Sequence, residues 1–257
     1  METKMTVERS FDAARLNKFL NDEFIYPWVH GSIVGPMDAT PLVKDKDNII
    51  LLGEHGGMIF VPLQGGIYDF HTFVTKQGRG KWALDMAAAT FKWVFTQTDA
   101  VELIGRLPHG NIRAKAFTQC LKGTFQFTIP NGWIFDHKIV PADIYSFKVQ
   151  EWMRDAPGME DVGEWFHRRL KVEYKIMGKR TALHQDDKVH DRYAGIFIEM
   201  VKGGQPFKAA VLYNRWAKIS GYQEVQIVNP DPTIVDIREA LLLFKDNDFR
   251  VMTCQQH

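Results

Sequence analysis

The chain reads as an α/β (α+β) fold: a sheet flanked by helices, followed by a mainly helical C-terminal part. Strand-like alternation and helix-like periodicity take turns along the first 150 residues. Residues 68–125 run in the order strand, glycine-bearing basic loop, alanine-rich helix, strand, and a helix opened by an asparagine. Hydrophobic residues make up 45% and charged residues 25% of the chain, which suits a packed globular interior.

Each element has its own signal. Residues 6–9 look like a short edge strand. Asp12 or Ser10 caps a helix that puts Ala13, Leu16, Phe19 and Leu20 on one face. Pro27 and residues 31–41 break regular structure. Residues 48–52 and 58–63 are strands around turns at Gly53 and Gly56-Gly57, and residues 67–74 alternate like a half-buried strand. After the loop, Ala83, Ala87, Phe91 and Phe95 recur at intervals of four, with Leu84, Ala88 and Val94 widening the stripe. Residues 101–107 read as a buried strand. Asn111 then caps a helix with Ala114, Phe117 and Leu121 on its apolar face; Cys120 lies in that helix and is expected to be buried. Pro130-Asn131-Gly132 between two strand-like runs signals a hairpin turn.

The pattern changes after Pro141. Residues 145–153 fit strand or helix. Residues 162–172, 186–201, 207–219 and 234–244 read as helices, and 224–228 and 249–253 as strands. This divides the chain softly into residues 1–150 and an α/β extension, residues 151–257.

Charge limits the partners. With 32 basic and 31 acidic residues the formal charge is +1, which gives no long-range field for nucleic acid or an anionic membrane and leaves room only for a local basic patch. Cys120 and Cys254 form neither a disulfide framework nor a zinc spacing. Residues 1–16 mix charges without an apolar core, unlike a secretory signal, and no apolar run is long enough for a bilayer. A cytoplasmic location is expected. In the run from His184 to His190, His190 and Asp186 or Asp187 could share a helical face, yet acids at a helix start need no metal, and no metal site is expected.

The loop Gln77-Gly78-Arg79-Gly80-Lys81 is the most informative segment. The first N–H groups of a helix have no internal partners, and its dipole favours negative charge there. Gly78 and Gly80 permit close backbone approach, while Arg79 and Lys81 add positive charge. An anionic ligand, a phosphate chain, is expected. The Gly-Lys-Ser/Thr ending of a P-loop is missing.

In this order of elements, with the Gln77–Gly80 loop and Asn111, the chain resembles the GNAT superfamily of acetyl-coenzyme A-dependent N-acyltransferases. The family's loop has a second small residue where Trp82 stands here. Pro27-Trp28, Tyr68-Asp69-Phe70-His71 and Gly80-Lys81-Trp82-Ala83 resemble GNAT-like proteins of tailed bacteriophages. The resemblance covers about half of the chain and implies a mixed, mostly antiparallel twisted sheet. It implies acetyl-CoA as cosubstrate, with the fourth strand's backbone at Phe73 and Val74 along the pantetheine. Gln77, Gly78, Arg79, Gly80, Lys81, Trp82 and Ala83 would surround the pyrophosphate, and Asn111 would contact the cofactor. His71, on the fourth strand, is the candidate general base, with Asp69 on the same face of the strand. The acceptor would be an amine, on a small molecule or a protein, attacked directly in a ternary complex. The family's acidic Tyr is replaced near Thr118. An alternative is therefore an inactive binding or structural protein, as in a phage virion or host cytoplasm, with a protein partner held by the C-terminal half.

Overall fold

In the computed structural model, residues 5–155, 173–177 and 224–228 are described, with single positions between 196 and 212. Contacts divide the chain into two compact units, residues 1–94 with 100–151 and residues 95–99 with 152–257.

The first unit is built on a seven-stranded sheet. Its strands are β1 (Glu8–Arg9), β2 (Ile49–Leu52), β3 (Gly56–Pro62), β4 (Ile67–Val74), β5 (Glu102–Pro108), β6 (Thr124–Phe135) and β7 (Lys138–Lys148), in the order β1-β2-β3-β4-β5-β7-β6. Every neighbouring pair is antiparallel except β4 and β5, which are parallel.

Alternation along the strands sends side chains to two faces. One face lies under α1 (Ala13–Leu20), which is capped by the Asp12 carboxylate on the Arg15 N–H. Leu16, Phe19 and Leu20 of this helix join Ile50, Leu52, Ile59 and Phe73 in one buried cluster. The opposite face carries α4 (Lys81–Gln97). Phe70 of β4, Phe91 of α4 and Phe147 of β7 pack edge to face, with ring centroids 5.0–5.6 Å apart. The Thr90 hydroxyl approaches the Met58 sulfur at 3.1 Å, tying α4 to β3.

Three local differences from the sequence reading have physical reasons. The stretch around Pro27 and Pro41 is not wholly irregular: α2 (Tyr26–Val29) and α3 (Thr40–Lys44) form there, each with proline in its first turn, where a missing N–H costs nothing. Pro130-Asn131-Gly132 is not a hairpin turn. β6 runs through it with a register shift between Ile129 and Trp133, and the chain reverses at Asp136 and His137, whose φ values are 47° and 61°. A Cβ at Gly132 would lie 2.7 Å from that of Ala142, so this glycine permits a bulge pressed onto β7. Residues 145–153 resolve into the end of β7 and α6 (Val149–Asp155).

In the second unit, β8 (Glu173–Met177) pairs antiparallel with β9 (Glu224–Val228). The expected strand 224–228 is present; the strand 173–177 was not anticipated. Lys208 is buried and donates hydrogen bonds to the Phe95 and Thr98 carbonyls; burial pushes its pKa down to about 7. The helices expected over 162–172 and 234–244, the strand over 249–253, most of 186–201 and 207–219, and the His184–His190 group lie outside the described residues.

Candidate active site

The site begins where the sheet opens. The parallel ladder runs from Ile67↔Glu102 to Phe70↔Gly105 and stops. β4 continues to Val74 on β3, while β5 continues to Pro108 on β7. Each strand thus follows its outer neighbour, and residues 71–74 lose their partner on the β5 side. The Phe70 ring lies over Gly105, where an added Cβ would be 2.9 Å from it. The unpaired backbone groups of such an edge need a partner.

Beyond β4, the Thr75 N–H and hydroxyl both bond the His55 carbonyl, and Lys76–Gly78 make one 3₁₀ turn. Gly80 follows with φ +81°, a conformation that favours glycine, and α4 starts at the next residue. The two loop glycines have different roles. Gly78 is buried: a Cβ there would meet His55 at 2.7 Å and Trp82 at 2.9 Å. The position of a Cβ at Gly80 faces open space.

A cleft of about 480 Å³ follows the unpaired end of β4 between α2, the start of α4 and α5 (Ile112–Cys120). Phe73, Val74, Arg79, Gly80, Ala83 and Asn111 all line it. Its walls are largely apolar, with Phe24, Trp28 and Phe117 the large side chains, and Arg79 and Arg113 supply positive charge. The Arg79 guanidinium lies 5.2 Å and the Lys76 ammonium 5.4 Å from the Phe24 ring centre, so both cations are held at one aromatic ring. Asn111 caps α5 by accepting the Ala114 N–H at 3.0 Å.

Gln77, Gly78, Lys81 and Trp82 do not line this cleft. Gln77 is exposed, and Lys81 pairs with Asp85 at 2.6 Å. The Trp82 ring packs over Gly53 and Gly78 beside His55, the imidazole centre being 5.2 Å away. A bulky residue fits after the loop because Gly53 has no side chain; a Cβ there would lie 2.9 Å from the indole.

His71 lies on the other face of β4. Its Nε2 is 3.8 Å from Asp69 Oδ2, and that oxygen accepts a 2.8 Å bond from Arg106 of β5. The His71 side chain is 38% exposed, yet the surrounding protein strips enough water to lower its pKa. Burial is the main cause, Asp69 opposes it and Arg106 adds to it. The ring therefore favours the neutral form, the form that accepts a proton.

Three features escaped the sequence reading. Cys120 is exposed and lines the cleft, contrary to the expectation of burial. The stripe Ala114–Phe117 faces that cleft, and Thr118 alone of α5 is buried, beside Gly123 and Phe147. The Asp143 carboxylate, buried in β7, accepts bonds from His109 Nδ1 at 2.9 Å and Thr128 at 2.7 Å, with Lys115 3.6 Å away. Burial acts to raise its pKa; the His109 and Thr128 hydrogen bonds, with the nearby Lys115 ammonium, outweigh it and lower the pKa. No sequence spacing links these residues; the β6–β7 register sets Thr128 opposite Asp143, and the end of β5 and the start of α5 bring His109 and Lys115 to it.

Among the described residues no group of three or more His, Cys, Asp or Glu side chains could hold a metal, and no helix is long and apolar enough to cross a membrane.

No protein-family model matches the chain, and no curated protein matches it in sequence. Solved structures match it in fold. The spermidine N-acetyltransferase of Vibrio cholerae, in complex with CoA and spermine, has a TM-score of 0.50 at 9% identity, over 58% of this chain and 98% of that one. The ribosomal-protein-alanine N-acetyltransferase of Brucella melitensis has a TM-score of 0.47 at 12% identity, over 56% of this chain and 100% of its own. At such identities the likeness is one of architecture. The sheet and its flanking helices have the fold of the GNAT acetyltransferases.

Proposed function

We propose that this protein is an acetyl-CoA-dependent N-acyltransferase that acetylates an amine by direct attack. The observation that carries this reading is the opening between β4 and β5, which leads into a cleft ending at Gly80, Arg79 and the start of α4. A pantetheine arm carries amide groups, and the unpaired edge at residues 71–74 offers them backbone partners. A diphosphate suits the helix start and its two neighbouring cations. Thr72 also lines the cleft, and its buried hydroxyl has no protein partner among the described residues.

Bound there, acetyl-CoA supplies an activated acyl carbon and a thiolate leaving group. His71 takes one proton from the acceptor ammonium, freeing the nitrogen lone pair to form the new C–N bond as the C–S bond breaks. The second amine proton leaves to the thiolate. Holding both reactants at the opening between β4 and β5, with the cofactor in the cleft and the acceptor on the His71 side, replaces a bimolecular encounter with an oriented one.

A second reading is a CoA-binding protein without turnover, such as a structural component of a phage particle. The observation favouring it is α5, which has no Tyr and turns Thr118 into the core.

Calorimetry with acetyl-CoA, followed by assays of thiol release with amines, separates the two. The wild-type chain is expected to bind at micromolar Kd, and Gly80→Asp to weaken binding at least about 100-fold, through backbone strain and a negative charge at the phosphate site. Absence of binding would sink both readings, whereas binding without transfer to any amine supports the second.

A further inference from the structure

We infer that Arg113 binds the phosphate on the 3′ oxygen of the CoA ribose, so that the acyl donor is a free CoA thioester and not a dephosphorylated or carrier-bound pantetheine. This rests on the acyltransferase reading and names the donor class of its cofactor site.

Arg79 and Arg113 line the cleft, and no aspartate or glutamate does. Other cations of this unit are matched: Lys81 by Asp85, Arg106 by Asp69, and Lys115 by Asp143. Among the described residues neither cleft arginine has a carboxylate within ion-pair distance, and the Arg113 guanidinium has no hydrogen-bond partner. An arginine on an open surface needs none. Two like charges on the walls of a largely apolar cleft are different, because such walls focus a positive field into it.

Placement separates the two arginines. β4 and β5 are parallel, so their C-terminal ends lie on the same side of the sheet, and each leads into the helix that follows it. Arg79 stands between β4 and Gly80, at the start of α4, where the N–H groups suit a diphosphate. Arg113 is the second residue of α5, on another wall of the cleft. Lys115, two residues on, turns to Asp143 instead, so Arg113 is the cation that α5 gives to the cleft.

A diphosphate at α4 accounts for Arg79 and leaves Arg113 without an anion. CoA carries a third phosphate, a monoester on its ribose that is close to doubly charged at neutral pH. A guanidinium holds such a group through two parallel N–H bonds. Dephospho-CoA has a hydroxyl at that position, and a pantetheine fixed to a carrier protein has no nucleotide at all. Neither supplies the second anion.

The test is calorimetry on the full chain with CoA and with dephospho-CoA, for the wild type, Arg113→Gln and Arg79→Gln. The wild type is expected to bind CoA at least about tenfold more tightly than dephospho-CoA, as for one charge-assisted contact. Arg113→Gln should shrink that ratio to about twofold or less by weakening CoA alone, whereas Arg79→Gln should weaken both ligands by a similar factor and keep the ratio. Arg113 is exposed and glutamine suits a helix, so the variant should fold, which its circular-dichroism melting curve checks. Equal wild-type affinities for the two ligands, or an unchanged ratio in Arg113→Gln, would overturn the inference. So would an equal loss of both ligands in a folded Arg113→Gln, since Arg113 would then hold the diphosphate. If the wild type binds neither ligand, the acyltransferase reading falls first and takes this inference with it.

Discussion

The two halves of the sheet are built differently. In β2, β3 and β4 the pairing is continuous, from Ile49↔Phe60 to Leu52↔Gly57 and from Gly56↔Val74 to Pro62↔Tyr68, and β2 is buried along its whole length. In β5, β7 and β6 the outer strand has two register shifts and leaves Phe125, Phe127 and Ile134 exposed. Only four parallel pairs join the halves. The close-packed half carries His71 and the basic loop; the looser half contributes Arg106, Asn111 and α5. In the proposed acyltransferase reading, such a seam would combine a fixed chemical group with a wall that tolerates variation.

The largest expected effect is on turnover. His71→Ala should lower kcat by about 10²–10⁴-fold, the usual contribution of a general base, with CoA affinity retained. An unchanged rate would remove the close-packed half from the chemistry.

Stability should separate the halves next. A Cβ at Gly57 would sit 2.2 Å from the Leu51 carbonyl and 2.9 Å from a Leu52 methyl, so Gly57→Ala should cost about 2–3 kcal/mol in urea unfolding. Phe127→Ser, on the exposed strand, should change stability by no more than about 0.5 kcal/mol. Similar losses from both would erase the distinction between the halves.

The smallest effect is in the pH profile. The His71 pKa is lowered in the fold, so the base is neutral above that value and protonated below it. The rate of acetyl transfer under kcat/KM conditions should rise through an inflection below 6.5, the unperturbed histidine value, ahead of any later rise from ionisation of the acceptor. An inflection at or above 6.5 that disappears in a His71 variant would contradict the desolvated setting described for this ring.

Much of this organisation was legible in local sequence. Asp12 and Asn111 cap helices because their side chains reach the N–H three residues on, a relation contained within one turn. Gly80 was readable for the same local reason, since a strand-to-helix turn at φ +81° favours glycine. What stayed hidden depends on distant partners. Pro130-Asn131-Gly132 carries the composition of a turn, but packing of Gly132 against Ala142 makes it a bulge. Trp82 departs from the small residue of similar loops, and the room it occupies is made by Gly53, 29 positions earlier. The stripe on α5 has the spacing of a core-facing helix, yet it borders a cleft, because hydrophobic periodicity tells which face is apolar and not what covers it. Asp69 and Arg106 meet only through the β4–β5 register.

Amide hydrogen exchange with and without CoA tests the central claim most directly. The account predicts that saturating CoA slows exchange at least about tenfold at residues 71–74 and 79–83, the strand edge and helix start that would bond the ligand. Saturation verified by calorimetry, with these amides unchanged and protection appearing elsewhere in the chain, would contradict it.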